Sequence, residues 1–161
     1  MPLLNAQYGG HGLAPDGKQV PVPPQAALWR RGPCVQVTIE LADQVAQELI
    51  KRKEPLPAPI SGLALIDTGS MASCIDEEAA QSMRLPVVGI ANLASASHPI
   101  HKANQYPIKI KIQGLPISCN IPSAIGAPIK VQGLVAIIGR DMLQICCLIY
   151  NGSTGQITLC I

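Results

Sequence analysis

Ala64-Leu65-Ile66-Asp67-Thr68-Gly69-Ser70 and, well downstream, Ala136-Ile137-Ile138-Gly139-Arg140-Asp141-Met142-Leu143 are the two stretches on which the reading of this chain turns. Each is a short apolar run that breaks off, the first at Asp67 with a glycine two positions later, the second at Gly139 ahead of Arg140 and Asp141. An acid that follows such a run is costly to bury unless its charge is used or paired. Taken alone, Asp67-Thr68-Gly69 reads better as a strand-to-turn corner than as a catalytic motif, because Asp, Thr and Gly are all ordinary turn residues. The second stretch adds information. Leu134 to Gly139 is apolar on both alternating faces, as in a central strand, and it breaks through Gly139 into residues 140–146, which suit about two turns of helix.

Working outward, Cys34 to Leu41 alternates cleanly, with Val35, Val37, Ile39 and Leu41 on one side and Gln36, Thr38 and Glu40 on the other. That is a half-buried strand. Asp43 to Lys53 changes period and gathers Val45, Ala46, Leu49 and Ile50 on one helical stripe, acid first and base last, which suits a helix dipole. Pro55, Pro57 and Pro59 lack amide hydrogens, so the segment reads as a linker. Leu63 to Ile66 is a short strand, and Asp76 is placed to cap a helix running to about Met83. From Val87 to Ile112 two strand-like segments flank Ala94-Ser95-Ala96-Ser97, the second alternating Ile108, Ile110 and Ile112 against Lys109 and Lys111. A further strand is expected over Ile117 to Ile121. Cys147 to Tyr150 and Gln156 to Ile161 flank an Asn-Gly loop, the pattern of a hairpin. Residues 1–30 show little periodicity and many Gly and Pro, so they are expected to form an extended arm ahead of a domain over residues 31–161.

A chain of 161 residues fits one main domain. Its 48% hydrophobic content includes no Phe, so Ile, Leu, Val and Ala must fill the interior. With fifteen Pro and fourteen Gly, short β-strands joined by tight connections fit better than long helices. The expectation is a mainly β, closed fold with one or two short helices. A net charge of +2 without a basic cluster interleaved with aromatics argues against nucleic acid. The start of the chain has no basic-then-apolar leader, and no run reaches the ~18 apolar residues of a membrane helix, so a soluble, cytoplasmic protein is expected.

Cys34, Cys74, Cys119, Cys146, Cys147 and Cys160 are expected as reduced thiols, because nothing resembles an export signal. No C-x-x-C pair occurs, and His98 and His101 sit among Ser and Pro in what reads as a loop, so no metal and no cofactor is expected. Asn151-Gly152-Ser153 matches a glycosylation acceptor but is read as a turn.

The paired stretches together resemble the retropepsin-like aspartic peptidases, the retroviral proteases and their bacterial relatives, in which a single D-T-G/S/A triplet is followed later by I-I-G-R-D/N. The resemblance covers roughly Cys34 to Ile161 and implies the closed acid-protease fold with one lobe per chain. By position, Asp67 matches the catalytic aspartate, and Thr68 the threonine that ties the two active-site loops together across a dimer. Gly69 matches the glycine that lets substrate backbone approach, and Ser70 stands where some members have Ala. Ile137, Ile138 and Gly139 match the strand supporting the catalytic loop, and Arg140 the basic residue that braces the subunit. Leu93 to Ile100 matches the flap, with Leu93, Ala94, Ser95, Ala96 and Ser97 as its substrate-binding residues and Ala94 to Ser97 as its tip. Met71 and Ala72 stand where viral members carry an acid, so Arg140 is expected to find another partner, with Asp76 and Glu77 as candidates.

Hydrolysis of an amide without a covalent intermediate needs a base for the water and an acid for the leaving group. One carboxyl group cannot hold both roles, whereas two facing carboxylates share one proton. The chain carries one triplet, so the implied enzyme is a homodimer, joined through the active-site loop and the β termini, that hydrolyses peptide or protein substrates. A Ser70 hydroxyl donating to Asp67 would favour the pair's charged form, and its loss would move the acid limb of the pH profile upward. The competing readings are a catalytically weak or inactive binding or dimerisation module on the same fold, and a metal or redox protein built on the cysteines and His98/His101.

Overall fold

A computed structural model describes residues 2–13, 15–95, 98–116 and 118–160. In chain order the elements are β1 (Leu3–Gln7), β2 (Gly10–Leu13), β3 (Gln19–Val22), α1 (Pro24–Arg31), β4 (Cys34–Leu41), α2 (Asp43–Lys51), β5 (Ile60–Ile66) and β6 (Cys74–Asp76). They continue with α3 (Glu77–Ser82), β7 (Gly89–Ser95), β8 (His98–Ile112), β9 (Ser118–Ala127), a single 3-10 turn at Lys130–Gln132, β10 (Leu134–Ile138), α4 (Arg140–Leu143), β11 (Cys147–Asn151) and β12 (Gln156–Cys160). Among the described residues the fold is mainly β, with four short helices.

Six strands close into a ring in the order β4-β5-β10-β6-β9-β8, with β8 returning to pair with β4. β7 extends from this ring as a hairpin on β8. The alternation in β4 is what makes the closure: Val37 and Ile39 are fully buried inside, facing Ile108, Ile110 and Ile112 of β8 across the seam. Outside the seam, Lys109 meets Glu40 and Asp43 at 3.0 and 2.5 Å, and Lys111 meets Glu40 at 2.5 Å. With no Phe available, Tyr106 and a set of Ile and Leu side chains are the largest fully buried groups. β10 lies between β5 and β6, in the central position its apolar run implied.

α2 places Val45, Ala46 and Leu49 against the core, but Ile50 lies off that stripe and is exposed. The helix stops at Lys51, short of the expected Lys53, which adopts a left-handed backbone. Asp76 caps α3 as expected, accepting from the Ala79 amide at 3.0 Å. α4 is a single turn, and residues 144–146 continue it only as turn hydrogen bonds. Ile117 lies outside the described residues, and the strand expected there runs over Ser118–Ala127.

The N-terminal segment differs from the extended arm expected for it. β1 pairs antiparallel with β12, giving a second sheet in the order β1-β12-β11. Tyr8 hydrogen-bonds through its hydroxyl to the Cys34 carbonyl, and its amide donates to Gly155 at 2.9 Å. The Pro21–Pro24 run opens α1, because Pro at the first helical position gives up an amide that has no intrahelical partner anyway. Leu28 of α1 is fully buried. Gly155 is required beneath that helix: a Cβ there would lie 2.1 Å from the Pro24 carbonyl carbon, and the backbone has φ +67°.

Candidate active site

β5 and β10 are parallel neighbours in register, with Ile66 opposite Ile138. The two motifs therefore leave the barrel side by side at the same end, and the Asp67 amide donates to the Ile138 carbonyl at 3.0 Å. Beyond this point the segments lock each other. The Ser70 amide donates to the Asp67 carbonyl at 3.2 Å, the Arg140 amide to the Ser70 carbonyl at 2.9 Å, and the Asp141 amide to the Met71 carbonyl at 3.2 Å. Every residue from Asp67 to Met71 except Thr68 and Gly69 is thus held by main-chain bonds, and those two are held from the side. Arg140 Nη1 donates to the Thr68 carbonyl at 2.9 Å and the Gly69 carbonyl at 3.2 Å.

This is where Arg140 goes, rather than to Asp76 or Glu77. Asp76 is occupied by the Ala79 amide and by the Lys130 amide at 2.8 Å. Glu77 accepts from the Tyr106 hydroxyl at 2.7 Å and from Asn104 at 3.1 Å. A guanidinium can satisfy two adjacent carbonyls as readily as one carboxylate, since it presents five donors in a planar fork.

Asp67 is half-buried and its Oδ1 accepts from the Gly69 amide at 2.8 Å. A Cβ on Gly69 would approach that oxygen to 3.1 Å, so the missing side chain also leaves the carboxylate room. Thr68 and Gly69 are exposed, and Met71 beside them is 76% exposed. Ser70 takes part through its backbone; among the described residues its hydroxyl makes no hydrogen bond to Asp67, so the expected effect of that hydroxyl on the acid limb has no support in this arrangement.

Ser73 escaped the sequence reading, and Asp141 stood in the second motif with no role assigned to it. Ser73, fully buried, donates through its amide to Asp141 Oδ2 at 2.8 Å and through its hydroxyl to Asp141 Oδ1 at 2.7 Å. The same hydroxyl accepts from the Gly139 amide at 3.0 Å, while Asp141 Oδ1 also takes the Met142 amide at 2.8 Å. A carboxylate satisfied this way is inexpensive to bury. Gly139 is obligatory for the crossing: a Cβ would sit 2.6 Å from the Ala72 carbonyl carbon and 2.9 Å from the Ser73 nitrogen. Below, burial, with the charges of Asp141 and Asp67 added, pushes the Cys74 thiol up to about 11.

Leu93, Ala94 and Ser95 end β7, whose pairing with β8 includes Leu93 opposite His101 and Ser95 opposite His98. Of the expected flap, Leu93 to Ser95 and His98 to Ile100 therefore lie on the paired strands, and Ala96 and Ser97 lie outside the described residues. His98 and His101, expected in a loop, belong to the start of β8. Among the described residues no group of three or more His, Cys, Asp and Glu side chains gathers as a metal site, and no helix is long and apolar enough to cross a membrane. An open groove of about 640 Å³ runs along Glu54–Ile60 and Ser82–Arg84, and none of the residues lining it belongs to the Asp67 loop.

No protein-family model matches this chain, and no curated protein matches it. Among solved structures, a retropepsin-like aspartic protease from Rickettsia conorii is similar over 98% of this chain and 92% of its own, at 11% identity and a TM-score of 0.43. A likeness that distant assigns neither family nor activity.

Proposed function

We propose that this chain is one half of a homodimeric aspartic endopeptidase of the retropepsin-like kind, in which Asp67 from each of two copies activates a water against a peptide bond. The observation that carries the reading is the interlocked loop itself. Asp67 sits at the open end of β5 with its carboxylate oriented by the Gly69 amide, on a turn whose carbonyls are clamped by Arg140 and whose foundation is the Ser73–Asp141 pair. Fixing a carboxylate in one orientation, with its second oxygen clear of donors among the described residues, suits a group that must bind and deprotonate water.

The second carboxylate comes from the partner. Like charges about 3 Å apart cannot both ionise, so the facing pair holds one proton, one member acting as base and the other as acid. A twofold axis beside the exposed Thr68-Gly69 turn brings equivalent residues together, since an isologous interface sets each residue opposite its copy. The β7–β8 hairpin is the element that covers bound peptide in this reading.

The direct test compares wild type with Asp67→Asn on a denatured protein mixture at mildly acid pH. The variant keeps the side-chain shape and the Gly69 contact but cannot act as base, so cleavage is expected to fall by at least ~10²-fold. Equal cleavage by both proteins would remove the catalytic reading and leave the fold as a binding or dimerisation module.

A further inference from the structure

Cys147 is the first residue of β11 and Cys160 the last of β12, and the antiparallel register sets them directly opposite one another. Opposed residues in such a pair project from the same face, with Cα and Cβ separations each about 4.5–5.5 Å. A disulfide takes Cα atoms about 4.4–6.8 Å apart and Cβ atoms about 3.5–4.5 Å apart. The backbone separation is therefore already suitable, and the side chains need close by only about 1 Å. They do so at the open end of the hairpin, where both strands end and the pairing gives most easily.

Both thiols are free, Cys147 exposed and Cys160 only 6% exposed. An accessible thiol beside a sheltered one is the arrangement of an attacking and a resolving cysteine. Cys146, one residue away, lies before the strand begins, partly buried with its Sγ 3.6 Å from the Met142 carbonyl. On the outer face the cysteine pair is continued by Leu3, which opposes Cys160 from β1.

We propose that Cys147 and Cys160 form a thiol pair that closes into a cross-strand disulfide in the presence of a small-molecule disulfide such as oxidised glutathione. The Cys147 thiolate attacks one sulfur of the reagent and expels one glutathione thiolate, leaving a mixed disulfide. The Cys160 thiolate then attacks the Cys147 sulfur and expels the second. Two protein thiols are oxidised, one reagent disulfide is reduced to two thiols, and the two protons pass from the cysteines to the released thiolates. The closed ring spans the whole C-terminal hairpin and fixes β12, which also holds β1.

The experiment incubates the folded, fully reduced chain with oxidised glutathione, followed by thiol counting, intact mass and peptide mapping without reduction. The expected result is loss of two of the six thiols with no glutathione retained, and a linked peptide pair containing Cys147 and Cys160. Thermal unfolding of the oxidised chain should lie about 5 °C or more above that of the reduced chain. Cys147→Ser should abolish the thiol loss. Cys160→Ser should trap glutathione on Cys147, and Cys160→Ala gives the same readout should the buried serine impair folding. A persistent adduct in wild type, a bridge through Cys146, a Cys147-linked dimer or six unchanged thiols would each overturn the assignment. The wild-type mapping needs no variant, and none of these readouts depends on peptide cleavage.

Discussion

Ser73 shows how a single hydroxyl can hold two distant motifs in place. It bridges the Asp141 carboxylate and the Gly139 amide while fully buried, so Ser73→Ala leaves a buried donor and a carboxylate oxygen short of a partner. The expected cost is about 1–3 kcal/mol of stability, measured by urea unfolding, together with a loss of any activity that depends on the Asp67 loop. Cys74 gives a pH signature for the same region. Its folded thiol is raised from 9.0 to about 11. A raised value means that the folded chain holds the proton longer than the unfolded one, so this contribution is complete below pH 9.0 and is lost as the pH rises toward about 11. Stability should therefore decline across that window, and Cys74→Ala should flatten the decline; an unchanged slope in that variant would contradict the assignment. The structure brings the two chain breaks at Asp67 and at Gly139-Arg140 side by side, and both were legible in the sequence because each ends an apolar run. Ser73 was not, since a small polar residue in a loop looks the same whether it is solvated or buried against an acid far along the chain.

Period placed the barrel strands, whereas the N-terminal segment, which has little, folds otherwise than expected. β4, β8 and β10 declare themselves by alternation or by an unbroken apolar run, and each takes the place that pattern requires. The failure lies in the N-terminal segment, where Gly and Pro density suggested an extended arm. Proline there opens α1 instead of preventing it, and the weak alternation of Leu3–Gln7 becomes a strand only because β12 offers an edge, a pairing partner that local sequence cannot reveal. Leu28→Ala separates the two views. A solvated arm would lose almost nothing, whereas removing a fully buried Leu side chain should cost about 2–5 kcal/mol in chemical denaturation. The reach of Arg140 was missed for a related reason: main-chain carbonyls are present at every residue, so no side-chain pattern announces them as the partner.

At the scale of the whole molecule, one barrel presents one aspartate loop at one end. In the proposed peptidase, chemistry that needs two carboxylates requires two barrels, and the Thr68-Gly69 turn beside Asp67, exposed in the single chain, is where the two copies would meet. Specific activity should accordingly depend on which chains are paired. The most direct test mixes wild-type chain with Asp67→Asn chain, allows exchange, and measures cleavage per wild-type chain. With equal amounts and free exchange, the dimer account predicts about half the activity of wild type alone, because half of the wild-type chains then sit opposite an asparagine. A larger excess of the variant should suppress activity further. Activity per wild-type chain that stays constant at every mixing ratio, in a preparation shown to exchange, would contradict the account.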